Sequence, residues 1–409
     1  MPKGNYIFGL DVGSSTIKCA VGEVLPNLPL QIIGANITES HGIRKGQVFD
    51  IEDAAESIEK NFEEIEQKIE GRIESVTVSI GGPHIQSISS RGVVAVSRAD
   101  GEVSEEDVSR VLKAAEAISL PKNKEILHVL PREFIVDKEG EIKDPIGMHG
   151  VRLEVEAEVI FGSSPYINNL IKAVENTGKS VDNLVFSTLA ASEAVLSKRQ
   201  KELGVAVLDI GAGSTGLCVF EEENLLSASV LPVGASHITN DIAIAFQLPI
   251  DIAEKLKLKY GVAQSEEVSK KEEINLEELG GEKGKIISRK ELAEVIEARN
   301  LEILELVVKE LKKIQRERLL PAGVILVGGG AKMPGMEELV KKELHLPCQI
   351  GFPKDVEGIV DKIDDPSFAT AVGLLFFELK EGKERRSQNK FQVGKSLSKV
   401  KKWLEELLP

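Results

Sequence analysis

The chain contains few cysteines, few aromatic residues and no long apolar run. Its 409 residues include three cysteines, one tryptophan and 4% aromatic residues. Cys19, Cys218 and Cys348 are odd in number and far apart, which excludes a disulfide framework and a zinc-type spacing. No stretch approaches the roughly 18 consecutive apolar residues that indicate a membrane-spanning helix. Asp11 ends the first apolar run too early for a signal peptide. We therefore expect a protein of the reducing cytosol that could only lie on a membrane.

A basic excess is also lacking. The chain has 51 Lys and Arg against 66 Asp and Glu, a formal net charge of −15. Binding to the phosphate backbone of nucleic acids requires a basic face, so we predict no nucleic-acid partner. The length fits two or three domains, and 42% hydrophobic residues suffice for a sizeable core.

One pattern occurs twice: GLDVGSSTIK at 9–18 and VLDIGAGSTG at 207–216. In both, an apolar strand ends in Asp, and a turn with glycine and hydroxyl residues leads into another strand. A Walker A loop or a Rossmann turn would instead be followed by a helix. Glycine allows backbone N–H groups to approach an anion, and the hydroxyls can donate to phosphate oxygens. A single D-x-G turn could simply end a strand. The pair predicts two similar halves that hold a polyphosphate in the cleft between them.

Asp11 lies beside the first predicted phosphate turn and would repel phosphate without a cation. We therefore predict Mg²⁺, held through water. The second turn repeats the same residue types with, on this interpretation, one residue more. A third element, VGGGAKMP at 327–334, follows a buried strand, and three glycines would let backbone lie against a purine or ribose. Glycine needed only for packing is the alternative. Pro334 is predicted to start the next helix.

Hydrophobic periodicity predicts the remaining organisation. We expect a helix over 51–70 capped by Asp50, and a helix over 104–118 that begins with a capping box. Further elements are predicted by the same criteria: strands at 128–137 and 152–161, helices at 165–177 and 288–317, and an exposed loop at 264–285.

The C-terminal segment 391–409 has an apolar stripe beside basic residues and the only tryptophan of the chain. The predicted membrane-contacting residues are Leu397, Val400, Trp403, Leu404, Leu407, Leu408, Lys399, Lys401 and Lys402. A basic amphipathic helix that carries Trp and follows a polar tether favours an anionic membrane surface. A helix docked on the protein's own core is the alternative.

The two phosphate turns and the glycine turn, in this order, resemble the superfamily of actin, Hsp70 and sugar kinases. The residues around SHGIRKGQVFDI (40–51) and DPIGMHGVRL (144–153) resemble the FtsA family of bacterial cell-division proteins more specifically. Other segments that are similar to this family are 128–143, 237–243, 254–261 and 327–336. The resemblance extends over essentially the whole chain.

This resemblance implies an α/β, actin-like ATPase fold: two similar βββαβα halves around a nucleotide cleft, an inserted SHS2-type 1C subdomain and a C-terminal amphipathic helix. The implied divisions are 1–81 with 161–196 (subdomain 1A), 82–160 (1C), 197–236 with 300–380 (2A), 237–299 (2B), 381–392 (flexible linker) and 393–409 (amphipathic membrane-targeting helix).

The resemblance also implies the ligands, ATP and Mg²⁺. The phosphate contacts are Gly13, Ser14, Ser15, Thr16, Gly211, Gly213, Ser214 and Thr215, with Lys18 in reach. The nucleoside contacts are Gly328, Gly329, Gly330, Glu254 and Lys257. Asp11 and Asp209 are the acids on the Mg²⁺ side, acting through water.

The family resemblance further implies a protein at the division septum, on the cytoplasmic face of the inner membrane. It would form actin-like filaments, bind the C-terminal tail of the tubulin-like protein FtsZ on 2B, around 290–300, and recruit later division proteins through 1C. Actin-like relatives orient the attacking water with Gln or Glu; here Glu193 is the only acid of 187–196 and its offset fits poorly, so we predict slow hydrolysis. A pilus-assembly adaptor and a small-molecule kinase are the alternatives.

Overall fold

The structure is a computed structural model that describes residues 6–26 and 28–388. The predicted membrane-targeting helix, with Trp403 and its basic neighbours, lies outside the described residues. Within them, no helix combines the length and apolar character that crossing a bilayer requires.

The first half opens with an antiparallel hairpin, as predicted from the strand–turn–strand pattern. Its elements are β1 (Tyr6–Val12), β2 (Thr16–Glu23), β3 (Leu30–Glu39), β4 (Ile43–Arg44), β5 (Gln47–Val48), α1 (Ile51–Ile69) and β6 (Ser75–Ile80). The predicted cap of α1 is confirmed, because the Asp50 carboxylate accepts hydrogen bonds from the N–H groups of Glu52 and Asp53.

A separate four-stranded antiparallel sheet follows in the region predicted as subdomain 1C. Its elements are β7 (Gln86–Ala95), α2 (Glu105–Glu116), β8 (Lys124–Val136), β9 (Glu139–Ile142) and β10 (Arg152–Ser163), with strand order β7-β10-β8-β9. One face of α2 packs on this sheet, where Val111 and Leu112 join Phe134, Leu153 and Val155 in a buried cluster of their own. The predicted capping box of α2, between Ser104 and Asp107, is confirmed.

We predict that replacing Asp107 with Asn destabilises this subdomain. The buried carboxylate accepts hydrogen bonds from Ser97 N (2.9 Å), Ser104 N (3.0 Å) and Ser104 Oγ (2.6 Å), and it contacts Arg110. Burial alone would raise the pKa of Asp107, but these donors outweigh it and hold the pKa well below its usual range. Loss of such charge-assisted bonds costs about 2–3 kcal/mol. Hydrogen exchange of the α2 amides should quicken accordingly at pH 7.

The pH dependence provides the control for Asp107→Asn. A depressed pKa stabilises the fold above the unfolded-state pKa and loses that contribution as pH falls through the folded-state pKa. The difference in stability between wild type and variant should therefore be largest at pH 7 and should shrink below about pH 4. Equal α2 protection in both proteins at pH 7 would contradict the prediction.

The chain then returns to the first half and continues into the second. The returning elements are α3 (Ser164–Glu175), β11 (Ser180–Phe186), α4 (Ser187–Val195) and α5 (Lys198–Leu203). The second half contains β12 (Val205–Ile210), β13 (Thr215–Glu221), β14 (Asn224–Leu231), α6 (Ala235–Phe246), α7 (Ile250–Tyr260), β15 (Glu273–Asn275), β16 (Ile286–Ser288), α8 (Arg289–Lys313), β17 (Val324–Val327), α9 (Met336–Leu344) and β18 (Cys348–Ile350). The last elements are β19 (Val356–Gly358) and α10 (Ala369–Gln388).

The two main sheets have the same topology. The first contains the order β11-β6-β1-β2-β3, and the second has the order β18-β17-β12-β13-β14. In both, the central strand pairs antiparallel with the next strand of the chain and parallel with a later one. The prediction of two similar halves is therefore confirmed.

The predicted assignment of 300–380 to the second half is wrong at its end. Strand β19 pairs with β3 of the first sheet, and α10 packs on β1 and α4. Glycines make this close packing feasible: a Cβ on Gly9 would lie 2.4 Å from Ala371 O, and one on Gly373 would lie 1.8 Å from Ala190 O. The chain thus ends its described part on the half where it began.

Three smaller expectations also need correction. The segment 264–285, predicted as an exposed loop, contains β15 and buries Ile274, Leu276 and Leu279 in the cluster between α6, α7 and α8. Gly335, not Pro334, lies at the N-cap of α9. A flexible linker is predicted from 381, but the backbone is helical up to Gln388. The reason is that this stretch is rich in good helix formers.

Candidate functional site

The two repeated turns face one another across a cleft between the halves. Strands β1 and β12 end beside it, and Asp11 and Asp209 both line the same cavity of about 500 Å³. The sequence predicted that these two carboxylates share one crevice, and the structure places them there.

Almost every residue predicted to bind the ligand lines this cavity. The lining includes Asp11, Gly13, Ser14, Ser15, Thr16, Lys18, Asp209, Gly211, Gly213, Ser214, Glu254, Lys257, Gly328, Gly329 and Gly330. The residues from Asp11 to Lys18 come from the first half, and those from Asp209 to Gly330 come from the second. Both halves therefore contribute to the lining of the cavity.

Thr215 is the exception, and the strand register gives the reason. Asp11 pairs with Lys18 and Asp209 pairs with Gly216, so the two turns have equal length and the predicted extra residue does not exist. Thr215 then corresponds to buried Ile17 rather than to Thr16. Its side chain is buried and its hydroxyl donates to Val233 O at 2.8 Å, away from the cleft.

The register also shows an asymmetry between the halves. Lys18 of the first half corresponds to Gly216 of the second, where a Cβ would lie 1.8 Å from Thr188 Oγ1. The first half thus supplies a cation where the second half supplies only backbone. Lys18 is itself buried, and its ammonium group donates to Thr16 Oγ1 at 2.8 Å.

The two aspartates of the cleft, Asp11 and Asp209, both have raised pKa values. Burial raises the pKa of Asp11, against the opposing effects of Lys18 and of a hydrogen bond from Ser79 Oγ at 2.8 Å. Burial, and then the charge of Asp11, raise the pKa of Asp209 to about 7. Two partly buried acids that repel each other favour the binding of a cation nearby. The described residues contain no group of three metal-binding side chains, so a bound Mg²⁺ would need water and phosphate as its other ligands.

The glycine turn after β17 combines the two roles that the sequence left open. Gly328 has φ +84°, and a Cβ there would lie 2.4 Å from Asp209 Oδ1, while a Cβ on Gly330 would lie 2.3 Å from Ile210 Cγ2. These two glycines are required for packing. A Cβ on Gly329 would meet no atom within 4 Å, so this glycine leaves open space in the cleft.

The predicted nucleoside contacts on α7 form a connected group. Lys257 is buried, lies 2.7 Å from Glu254 and donates to Thr239 Oγ1 at 2.8 Å. Thr239 also donates to Glu254. The group places one fixed cation and one half-exposed carboxylate at the wall of the cavity that the second half provides.

The cleft has further lining residues that the sequence analysis did not identify. They are Val12, Ile37, Gly46, Ser79, Gly81, Gly82, Ser187, Ala212, Gly216, Val230, Ala235, Leu258, Lys332, Met333, Ser367 and Thr370. Ser79 was detectable in principle, because it is the last polar residue of a strand in which polar residues alternate with Val and Ile. Glu193 is not among the lining residues; its carboxylate lies 2.7 Å from Lys201 Nζ.

Comparison with known proteins agrees with this fold. The family model "Cell division protein FtsA" matches residues 206–373, and the model "SHS2 domain inserted in FTSA" matches residues 82–161. Among solved structures, the PilM-PilN type IV pilus biogenesis complex has a TM-score of 0.65 at 19% identity, covering 91% of this chain and 98% of that chain. MreB5 of Spiroplasma citri bound to ADP has a TM-score of 0.54 at 14% identity, covering 94% and 99%. At these identities the two structures indicate the actin-like fold alone.

Known sequences are much more similar over the full length. The cell division protein FtsA of Pseudomonas aeruginosa is 35% identical over 410 residues, covering 98% of both chains. That of Borreliella burgdorferi is 38% identical over 404 residues with the same coverage. That of Bacillus subtilis is 38% identical over 377 residues, 92% of this chain and 84% of the relative. This chain, with an actin-like fold and an inserted SHS2 domain, belongs to the FtsA family of cell-division proteins.

Proposed function

We propose that the cleft binds ATP with Mg²⁺. The observation that carries this proposal is that both phosphate turns, each preceded by an aspartate, line one cavity. The cavity volume of about 500 Å³ lies within the range of roughly 300–1,000 Å³ that ligand sites occupy. The chemistry of the lining also fits: hydroxyl groups and turn backbone for phosphate, and open space at Gly329 for the nucleoside side.

In this proposal each part of the chain has a separate task. Gly13, Ser14, Ser15 and Thr16 hold phosphates from the first half, and Gly211, Gly213 and Ser214 hold them from the second. Asp11 and Asp209 bind water molecules of the Mg²⁺ ion, which neutralises phosphate charge. Lys257 and Glu254 contact the nucleoside.

We further propose that nucleotide controls assembly more than it is consumed. Among the described residues, the cleft lining contains only three acidic side chains, Asp11, Asp209 and Glu254, and none of them belongs to α4. Ser187, at the start of α4, faces the cavity instead, and serine is a weak base. This supports slow hydrolysis and a role for ATP as a switch for filament formation.

The cellular role that we propose is a membrane tether for the division ring. The membership in the FtsA family supports a role in division, and the basic, Trp-containing segment 393–409 supports attachment to anionic lipid at the septum. FtsZ would bind through its C-terminal tail on 2B near 290–300, and later division proteins would bind the inserted 1C subdomain. A single amphipathic helix binds weakly, so filaments that present many tails would bind far better.

Co-sedimentation tests this role. With ATP and Mg²⁺, the full chain should pellet with phosphatidylglycerol vesicles and carry FtsZ with it. A variant with Trp403→Glu and Leu407→Glu should leave both proteins in the supernatant, because charged residues do not insert into lipid. FtsZ without its tail is the second control and should not pellet. If the double variant pellets as fully as the wild type, the proposed tether is wrong.

A further inference from the structure

The small hairpin of β4 and β5 reaches both phosphate turns. At its tip, Gly46 N–H donates to Ser14 Oγ at 2.7 Å, and Gly46 lines the cavity. On the other side the tip lies against the second half, because a Cβ on Gly213 would lie 2.7 Å from Lys45 Cα. Gly213 is therefore glycine partly to admit this tip. The tip, Lys45–Gly46, belongs to the first half and contacts both turns at the edge of the cavity that Gly46 lines.

The tip has a fixed and unusual backbone. Lys45 has φ +51°, a left-handed conformation that lysine rarely adopts, and it lies between positive-φ glycines Gly42 and Gly46. Gly82 packs closely against the tip, since a Cβ on Gly82 would lie 2.6 Å from Lys45 O. Such conformations persist where the surroundings impose them, and they are concentrated at functional sites.

The lysines that line the cleft are already paired with acids, and Lys45 can supply a further positive charge. Three lysines line the cavity, and each already faces an acid: Lys18 faces Asp11, Lys257 pairs with Glu254, and Lys332 pairs with Asp365. A nucleoside triphosphate brings several negative charges beside Asp11 and Asp209. Lys45 is exposed and has no ion-pair partner among the described residues. Its ammonium group is thus free to bind an added anion.

The position of the tip indicates which phosphate it would contact. The nucleoside contacts proposed above, at Gly329 and on α7, all come from the second half. The tip comes from the first half and lies at the meeting of the two phosphate turns. A phosphate chain that starts at the nucleoside wall must run toward this meeting point, so its terminal group comes nearest to the tip.

We infer that the Lys45–Gly46 tip is a third phosphate-binding element, in which Lys45 binds the terminal phosphate of a nucleoside triphosphate. Gly46 holds the Ser14 hydroxyl oriented for the same ligand. This inference rests on the proposed binding of ATP in the cleft. Its consequence is selectivity: Lys45 strengthens the binding of a triphosphate but adds little for a diphosphate, which ends short of the tip.

Calorimetric titration of the full chain with ATP and with ADP, both with Mg²⁺, tests the inference. Lys45→Ala should weaken ATP binding at least 10-fold and ADP binding less than 2-fold, whereas Lys45→Arg should stay within about 3-fold of wild type for both. Arg44→Gln is the matched control: it removes a neighbouring cation that stacks on Phe49, and it should change neither affinity. If Lys45 had only a structural role, its replacement would weaken the binding of both nucleotides equally.

The outcomes separate this inference from the proposal on which it rests. If wild type binds ATP and Lys45→Ala binds it equally well, or loses ATP and ADP alike, the role of Lys45 is overturned and the cleft stays a nucleotide site. If wild type binds neither nucleotide, the nucleotide proposal itself fails, and the inference about Lys45 fails with it.

Discussion

Gly329→Val should reduce the affinity for ATP at least 100-fold while the fold keeps its stability. A Cβ at this position would meet no atom of the protein within 4 Å, so a side chain here would enter the open space of the cleft. The ligand must then shift or lose its contacts, and a 100-fold loss corresponds to about 2.7 kcal/mol of binding free energy. No core contact is disturbed, so the free energy of unfolding should change by less than about 0.5 kcal/mol. Calorimetric titration and urea denaturation measure the two quantities.

The adjacent Gly330→Val is the matched control. Unlike Gly329→Val, it should lower the stability of the fold. Its Cβ would lie 2.3 Å from Ile210 Cγ2, at the end of β12, so the protein must distort to accept it. Overpacking of this kind costs about 1–3 kcal/mol of stability. A result in which Gly329→Val unfolds the protein, or binds ATP normally, would show that the open space at Gly329 is not part of the ligand site.

This pair of glycines illustrates what the sequence could predict and what it could not. The run of three glycines after an apolar strand predicts a close approach of backbone to something. It does not distinguish approach to a ligand from approach to Ile210, because that depends on which strand lies beside the turn. Only the pairing of β12 with β17 decides the role of each glycine.

The repeated turns were likewise predictable from local residue types. The wrong assignment of Thr215 to the ligand site likewise comes from a long-range contact. Local residue types predict two strand–Asp–turn units, and both are present. The equivalence of Thr215 with Ile17 is a matter of register, which long-range strand pairing sets. The return of β19 and α10 to the first sheet is also a long-range contact. No periodicity within 356–388 could show which half these residues join.

Asp209→Asn should stabilise the nucleotide-free protein at pH 8 and weaken its binding of Mg²⁺ and ATP. Burial and the charge of Asp11 raise the pKa of Asp209 to about 7. An acid whose folded-state pKa is raised binds more protons when folded, so its contribution destabilises the protein as pH rises from about 4 to 7. The raised pKa corresponds to a cost of up to about 4 kcal/mol above pH 7, at about 1.4 kcal/mol per pKa unit. Asn removes this cost, because it carries no charge to bury.

Urea denaturation without metal or nucleotide, at pH 5 and pH 8, measures this effect. The stability difference between the Asp209→Asn variant and wild type should be larger at pH 8 than at pH 5, whereas exposed Glu59→Gln should follow wild type at both. A difference that is the same at both pH values would contradict the raised pKa. The physical point is that the apo cleft holds two like charges at a cost in stability. The Mg²⁺ ion proposed for this cleft would relieve the repulsion between Asp11 and Asp209 and would release a proton near neutral pH, so the same carboxylate that destabilises the nucleotide-free cleft would strengthen its hold on the ion.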